Sequence, residues 1–440
     1  LQGSAAEEVA AIHGDAWAKA PGVRYLAGEA DDEDGQSSVM VLRDREGQLL
    51  GRIPLHRNMS GAYPFGFTHD AAATTALVNE VVAPLFVVPV VGGPPRRIGD
   101  QQGYQSPLGW TPENQKVFYT TRLNGRETVL LSPVQGGPTV EIPLPEDAEW
   151  PIAPSADGRY LAHSLWQADD DEGTVMVRRI SDGETRVLTD KLLRGLIIGG
   201  PVLGPGGGVT DGNEFLFLER HGDRLELHAS PPEGPSRLLL SLPPSAWGGQ
   251  DVPHFGVHGD WVVYAVTSGD STRLQISRGG DEEGRSLATI NGSLRGITWS
   301  HDRRWIAARR VTRQAQGVTF DLLLLSVTPE GTLAAEPRML ETEAWVSSSL
   351  QWLPDNRTIA QVGAAPDGVG NHLWLIPIQE GDPTVPLSLG GDVWGPGGLV
   401  AAVLSAHGRH VAYGREMLRG SSVWVIDYGE FLREKGLVQR

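Results

Sequence analysis

The stretch that decides the fold reads Ile297-Thr298-Trp299-Ser300-His301-Asp302-Arg303-Arg304-Trp305-Ile306-Ala307-Ala308. It contains a short apolar run, a tight polar turn and a second apolar run, which is typical of a β-hairpin. Altered forms of this phrase recur at residues 108–117, 153–162 and 351–360. A residue of the repeat can fill the same structural position in every copy. The repeat must therefore be interpreted before any single motif is assigned a function.

The spacing of the copies predicts an all-β propeller. Neighbouring copies are 43 to 54 residues apart when they are measured between their turn residues, which are Asp70, Glu113, Asp157, Asp211, His258, Asp302, Asp355 and His407. Further strand-like runs follow each turn, and four antiparallel strands per repeat make the blade of a propeller. We therefore predict a single β-propeller of four-stranded antiparallel blades, eight in number, with seven or nine as the alternatives.

The two ends of the chain differ from the repeats. Residues 1–22 are predicted to form a helical or flexible segment, because residues 5–20 have helical character and Pro21-Gly22 would stop a helix. The propeller is predicted over residues 23–428 and a short helical tail over residues 429–440. The last repeat offers only three strands, ending near residue 426. We expect the strand at residues 49–55 to complete it and close the ring.

Composition excludes several classes of function. The chain of 440 residues carries 54 acidic and 37 basic residues, a net charge of -17, which disfavours nucleic acid as a partner. It has no cysteine, so disulfides, thiolate metal sites and cysteine nucleophiles are excluded. No apolar run reaches the length of a membrane-spanning helix. Its 56 Gly and 31 Pro fit many short strands joined by turns.

The phrase Trp299-Ser300-His301-Asp302-Arg303 resembles the propeller repeat of the TolB-like family, usually written around a Trp-Ser-Pro-Asp-Gly core before an Ile-Ala-Phe strand. The resemblance spans most of the chain, although no copy carries the full core. It implies an architecture that envelope scaffolds, sensor modules and the gating propellers of prolyl-oligopeptidase-like enzymes share, so it does not assign a function. It also implies an extracytoplasmic or cell-envelope location, with the cytoplasm as the alternative.

The start of the chain bears on the same question. Leu1-Gln2-Gly3-Ser4 resembles a bacterial lipoprotein cleavage box in which Ser stands where the lipidated Cys would be. This interpretation places a lipid anchor upstream, and a chance start is the alternative.

Catalytic motifs are missing from the sequence. There is no Gly-x-Ser-x-Gly elbow, so the hydrolase half that accompanies prolyl-oligopeptidase propellers is lacking. There is also no phosphate-binding Gly-x-x-x-x-Gly-Lys-Ser/Thr loop. These absences favour a noncatalytic role, although propeller active sites can be built from scattered residues.

Aromatic residues give the strongest binding signal. Five of them precede the innermost strands of the predicted blades, namely Tyr104, Trp150, Trp247, Trp345 and Trp394. On the face where those strands begin, they would form a ring that recognises a peptide or glycan. The alternative is that each fills a gap between blades. Trp110, Trp299 and Trp352 lie inside the repeated phrase and are predicted to form the core between blades.

Metal sites are the weaker hypothesis. His163, His254 and His258 are the best candidates for a divalent metal, while His residues in the repeated turn act more simply as hydrogen-bonding caps. Asp32 and Asp34 have the alternating spacing of calcium ligands, with a solvated hairpin tip as the alternative. No other cofactor is predicted.

The sequence as a whole favours a noncatalytic binding or scaffold propeller. It would present one face and its channel mouth to a protein or peptide partner, as a monomer. Two alternatives stay open: a propeller lyase or hydrolase with a His and carboxylate metal site in the channel, and a sensor module of a longer signalling protein.

Overall fold

The computed structural model describes residues 17–19, 25–31, 38–44, 49–54, 60–67, 73–82, 84–99, 105–123, 126–145, 148–165, 172–193, 213–243, 254–280, 284–314, 317–340, 345–346, 350–364, 371–389, 399–415 and 417–427. The chain divides into two compact units. The smaller comprises Leu1–Ala83, Gln102–Tyr104 and Glu416–Arg440, and the larger comprises Pro84–Gln101 and Gln105–Arg415. The described residues form strands and no helix, which confirms the all-β class. None of them therefore belongs to a helix suited to crossing a membrane.

The strands, in chain order, are β1 Trp17–Lys19, β2 Tyr25–Asp31, β3 Ser38–Asp44, β4 Leu49–Pro54, β5 Ser60–Phe67, β6 Ala73–Val82, β7 Leu85–Pro89, β8 Arg96–Ile98, β9 Gln105–Trp110, β10 Lys116–Leu123, β11 Arg126–Pro133, β12 Val140–Ile142, β13 Ala148–Pro154, β14 Tyr160–Leu165, β15 Glu172–Arg179, β16 Thr185–Leu193, β17 Phe215–His221, β18 Arg224–Ser230, β19 Arg237–Leu242, β20 Phe255–His258, β21 Trp261–Ser268, β22 Ser271–Arg278, β23 Arg285–Asn291, β24 Ser293–Trp299, β25 Trp305–Gln314, β26 Gly317–Ser326, β27 Arg338–Leu340, β28 Trp345–Val346, β29 Gln351–Trp352, β30 Thr358–Ala364, β31 Asn371–Pro377, β32 Val385–Ser388, β33 Leu399–Leu404, β34 His410–Arg415 and β35 Met417–Asp427.

The larger unit is built from antiparallel blades. Blade 1 runs β33-β34-β7-β8, blade 2 β9 to β12, blade 5 β20 to β23, and blade 6 β24 to β27. Blade 7 contains β28 to β32, with β28 and β29 both paired to β30. Strands β13 to β19 form one seven-stranded sheet, whose weakest junction is the single pair Leu192↔Glu219 between β16 and β17. That junction separates blade 3, β13 to β16, from blade 4, β17 to β19.

The repeated turn marks the same seven blades. In every blade except blade 4, the described turn between the first two strands has one residue with a left-handed backbone. In blade 4 the corresponding turn, which also has such a residue, lies directly before β17. Their φ angles lie between 55° and 66°, at Asn114, Gly158, Asn213, Gly259, Arg303, Asn356 and Gly408. Gly and Asn are the residues that adopt this conformation at low cost. Six of the seven turns use one of them, and blade 6 uses Arg303.

Apolar side chains fill the gaps between neighbouring blades. Seven clusters of buried residues each draw members from two adjacent blades of the described chain. Val88 and Val411 of blade 1 pack with Leu373 of blade 7, and Leu85 of blade 1 packs with Trp110 of blade 2. The larger unit therefore closes into a ring of seven blades, one of the numbers that the sequence allows, rather than the eight that it favours.

The strands that close the ring differ from those expected. β34 pairs with β7 through Val411↔Val88 and Ala412↔Val87, whereas β4, at the expected closing position, pairs with β3. β7 suits this role because its apolar residues are buried on both faces of the sheet. A strand inside a blade needs this, because a neighbouring blade packs on each face. The expected third strand of the last blade, β35, pairs instead with β6 of the smaller unit.

The smaller unit contains a β1-β2-β3-β4 sheet and a β5-β6-β35 sheet, both antiparallel. Within residues 1–22, Trp17–Lys19 form strand β1, paired to β2, instead of the predicted helix. A strand at this position pairs with the edge of β2, whereas a helix would leave that edge unpaired. The rest of residues 1–22, and the predicted tail at 429–440, lie outside the described residues. The boundaries at residues 22 and 428 stay predictions.

Candidate functional site

The repeated turn, which first suggests a site because it gathers Ser, His and Asp, has a structural role. In blade 6 the Ser300 hydroxyl donates to Asp302 Oδ1 at 2.7 Å, and the Trp305 amide donates to Ser300 Oγ at 3.0 Å. The Asp302 amide donates to Oδ1 of Asn356 in blade 7, at 3.0 Å. These hydrogen bonds hold each turn closed and join it to the next turn around the ring.

Blades 3 and 4 repeat the arrangement. The Asp157 amide donates to Asn213 Oδ1 at 3.1 Å, and Ser155 Oγ–H donates to Asp157 Oδ1 at 2.6 Å. Partial burial acts to raise the pKa of Asp157, but hydrogen bonds from Ser155 and Arg159, with the Arg159 charge, outweigh it and hold that pKa below its ordinary value. Asp157 is therefore an ionised cap at neutral pH.

The tryptophans of the repeated phrase hold neighbouring blades together, as predicted. Trp110 Nε1–H donates to the Val403 carbonyl at 3.1 Å, Trp299 Nε1–H to Gly256 at 3.2 Å, and Trp352 Nε1–H to Thr298 at 3.4 Å. Each bond runs from the first strand of one blade, or its end, to the first strand of the preceding blade. An indole here supplies both apolar area and a directional bond.

The predicted aromatic ring lies mostly outside the described residues, which omit Tyr104, Trp247 and Trp394. Trp150 lies in β13, where the pairing with β14 shifts register between Glu149 and Ile152. Trp345 lies in β28 of blade 7. The ring hypothesis therefore stays a prediction.

The metal candidates belong to two blades, 3 and 5. His163 is buried in β14 of blade 3, while His254 precedes β20 and His258 ends that strand in blade 5. His258 Nε2–H donates to the His301 carbonyl at 3.2 Å, and its ring meets Trp299 edge to face. Among the described residues, no three His, Asp or Glu side chains converge on a point where they could hold a metal ion.

The calcium candidates Asp32 and Asp34 lie outside the described residues. The structure therefore leaves that hypothesis untested.

A groove of about 830 Å³ lies on the turn side of blades 5 and 6. Three indoles line it, those of Trp261, Trp299 and Trp305, together with exposed Arg303 and Arg304. Its volume is within the range of small-ligand and peptide sites, which run from about 300 to 1,000 Å³. We call it the tryptophan groove, and the remaining residues that line it are Asp302, Ser326, Val327, Thr328, Pro329, Gly331 and Ala334.

Arginines fix the tryptophans of the groove. The Arg278 guanidinium lies 5.5 Å from the centroid of the Trp261 ring, and that of Arg338 lies 5.9 Å from the Trp305 ring. Cation–π contacts of this kind favour one orientation of an indole. The two half-buried indoles are therefore held in place before any ligand arrives.

The loop that follows β26, from residue 327 to residue 334, forms a second wall of the groove, beside the turn that carries Arg303. Gly331 packs so closely on Trp261 that a Cβ built on it would lie 2.6 Å from the ring, and its φ of 74° favours glycine. Arg285 Nη2 donates to the Glu330 carbonyl at 2.6 Å and links this loop to blade 5. The groove is thus bounded by two blades at once.

Sequence reasoning missed the groove. It assigned Trp299 correctly to the core, but it did not connect Trp261 and Trp305, which belong to different repeats. One signal was available: Arg303 stands where the other copies with a defined turn have Gly or Asn.

Comparison with known proteins finds similar chains among solved structures only. Neither a protein-family model nor a curated protein sequence matches the chain. Among solved structures, TolB from Agrobacterium tumefaciens is 13% identical, with 77% of this chain and 99% of that chain covered and a TM-score of 0.44. Oligogalacturonate lyase in complex with manganese is 12% identical, with 81% and 96% covered and a TM-score of 0.48.

A third similar structure is the β-propeller domain of the Trilobed protease from Pyrococcus furiosus. It is 11% identical, with 74% of this chain and 98% of that chain covered and a TM-score of 0.39.

Proposed function

We propose that this chain is a noncatalytic binding propeller, which holds an acidic peptide segment of a protein partner in the tryptophan groove. The observation that carries the proposal is the backbone of Arg303, whose φ is 61°. A residue with a Cβ costs about 1–2 kcal/mol in this conformation, and the other six blades avoid most of that cost with Gly or Asn. Strain retained at one repeat of seven indicates a role for the Arg303 side chain itself.

The chemistry of the groove favours a peptide with carboxylates beside an apolar residue. Arg303 and Arg304 are both exposed at the groove, and a guanidinium binds a carboxylate through two parallel hydrogen bonds. Asp302, the acidic residue of the lining, accepts from the Ser300 hydroxyl and the Arg304 amide, and its Oδ2 lies 3.9 Å from Arg304 Nε. Arg303 is therefore the arginine that we assign to the peptide carboxylate. The indoles of Trp261 and Trp305 would pack on the apolar residue.

The charge of the whole chain sharpens this choice. With a net charge of -17, the protein as a whole repels acidic partners. The exposed Arg303 offers such a partner a local positive charge at the groove, so charge contributes to specificity. A location in the cell envelope, and a monomeric state, remain part of the prediction from sequence.

Panning of a phage-displayed peptide library tests the proposal. The bait is the full chain, and Arg303→Asn is the comparison, because Asn suits the turn and keeps the fold. We expect enriched peptides to carry Asp or Glu beside Pro, Leu or an aromatic residue. Fluorescence anisotropy then measures the affinity of these peptides for the wild-type chain and for Arg303→Asn. We expect the variant to bind them about tenfold more weakly, the effect of losing one pair of charge-assisted hydrogen bonds.

The control variant is Arg357→Ala, which removes an exposed arginine from the corresponding turn of blade 7. It should leave the affinity unchanged. Gly331→Ala, which forces a Cβ against Trp261, should weaken binding while the circular dichroism spectrum is unchanged. Basic peptides, equal affinity for the Arg303→Asn variant, or no enrichment at all would overturn the proposal.

A further inference from the structure

Two of the three indoles in the tryptophan groove have hydrogen-bond donors that the protein does not use. Trp299 Nε1–H is already donated to the Gly256 carbonyl, 3.2 Å away. Trp261 and Trp305 are half-buried, and among the described residues the Nε1–H of neither has an acceptor. An indole nitrogen is only ever a donor. A ligand in the groove therefore meets two donors that need an oxygen.

The acceptors on the second wall of the groove are, by contrast, already engaged. The Ser326 carbonyl accepts the Ala334 amide, and the Thr328 carbonyl accepts the Gly331 amide, each at 2.9 Å. The Thr328 hydroxyl accepts the Thr332 amide at 3.3 Å. These bonds hold the loop in its own turn. The groove therefore favours a ligand that accepts hydrogen bonds over one that donates them.

Proline is the residue whose backbone fits this balance. It has a carbonyl but no N–H, so a run of prolines presents acceptors and no donors. Such a run adopts the polyproline II helix, in which the carbonyls make no internal hydrogen bonds. Its rings are apolar and pack on aromatic side chains, which is how grooves lined by aromatic residues bind proline-rich segments.

Both surfaces would be ordered before they meet. The guanidinium groups of Arg278 and Arg338 hold the rings of Trp261 and Trp305. A polyproline II segment is already extended in solution, so it loses little conformational entropy on binding. A leucine-rich segment has a comparable apolar character, but its flexible backbone must be ordered and its N–H groups need acceptors. Both costs favour proline.

We propose that the tryptophan groove binds a proline-rich acidic segment in the polyproline II conformation. Proline rings pack on Trp261 and Trp305, whose Nε1–H groups donate to carbonyls of the segment, and a carboxylate of the segment binds Arg303. This inference rests on the proposed function, because it specifies the apolar part of the same acidic peptide.

Fluorescence anisotropy of two labelled peptides tests the proposal with the full chain. The first peptide is Asp-Glu-Pro-Pro-Pro-Pro, and the second has leucine in place of each proline. The two carry the same acidic residues, so they differ in backbone N–H groups, stiffness and ring shape alone. We expect the proline peptide to bind about tenfold more tightly, because it is ordered in advance and lacks donors.

Two variants test the indole donors. Trp261→Phe and Trp305→Phe each remove an N–H group and keep an aromatic ring at the groove. Each should weaken binding of the proline peptide about fivefold, the effect of losing one neutral hydrogen bond. Trp299→Phe is the matched control and should keep the wild-type affinity, because its N–H group is donated inside the protein. Circular dichroism confirms that each variant is folded before affinities are compared.

The results that would overturn the proline preference differ from those that would overturn the proposed function. Equal affinity for the two peptides, with both weakened by Arg303→Asn, would refute the preference and leave the acidic-peptide groove standing. Wild-type affinity in both Trp261→Phe and Trp305→Phe, or an equal loss in Trp299→Phe, would refute the indole donors. If neither peptide bound, the proposed function would fail as well.

Discussion

The indole of Trp110 joins blade 2 to blade 1, and its removal should measure what such a bond contributes. Trp110→Phe deletes the Nε1–H that donates to the Val403 carbonyl at 3.1 Å. That carbonyl keeps the Ala412 amide as its partner in the β33–β34 pair, so only the bond between blades is lost. Such a bond contributes about 0.5–1.5 kcal/mol. The smaller ring also leaves a cavity, which costs on the order of 1 kcal/mol. The expected loss in free energy of unfolding is therefore about 2 kcal/mol.

Trp374→Phe is the matched control. Trp374 is 5% exposed and Trp110 is 8% exposed, so the two substitutions create similar cavities. Trp374 Nε1 has no hydrogen-bond partner among the described residues, so this substitution removes no hydrogen bond. We expect this variant to lose only about 1 kcal/mol.

Urea unfolding followed by far-ultraviolet circular dichroism measures both variants, in chloride buffer. A shift in midpoint with unchanged slope reports a change in stability. The reasoning would be refuted if Trp374→Phe lost as much stability as Trp110→Phe, since the bond between blades would then contribute nothing.

Two further predictions concern the turns. Asn356→Gly keeps the left-handed backbone but removes the acceptor of the Asp302 amide, so it should cost about 1 kcal/mol, measured by urea unfolding; no loss would show that the link between turns is unimportant. Asp157→Asn should be less stable than wild type at pH 7. Because the folded pKa of Asp157 lies below its unfolded value, that difference is present above about pH 4 and disappears as pH falls through the folded pKa. Thermal unfolding from pH 2 to 7 checks this, and a difference that persists at pH 2 would contradict it.

Much of the fold is predictable from the sequence because each repeat carries its own local signals. The period-two strands, the turn with Gly or Asn, and Trp110, Trp299 and Trp352 in the core between blades all follow from one phrase. The blade number was harder, since strand-like runs of the smaller unit resemble those of the blades. The closing strand was predicted wrongly, because β34 pairs with β7 from the far end of the chain and an apolar strand does not specify its partner.

The candidate sites are less predictable than the fold. The tryptophan groove combines Trp261 and Gly331 from different repeats, which become neighbours only when blades 5 and 6 pack.

The tryptophan groove lies between neighbouring blades of a closed ring, so the closure of that ring is the central claim. Val87 and Ala412 are direct partners on β7 and β34. The Val90 amide donates to the Arg409 carbonyl, which places residues 87 and 412 at a non-hydrogen-bonded pair, about 4.5 Å apart at Cα. That separation suits a disulfide, and the chain has no cysteine of its own to interfere.

The decisive measurement is oxidation of the double variant Val87→Cys/Ala412→Cys, read by mass spectrometry of its proteolytic fragments. Val87→Cys/Val411→Cys is the control, because residue 411 projects to the opposite face of the sheet. The account predicts an intramolecular disulfide between residues 87 and 412 and none in the control. It also predicts a rise in stability of up to about 5 kcal/mol from closing so long a loop. Free thiols in the folded monomer, or equal crosslinking in the control, would contradict the ring.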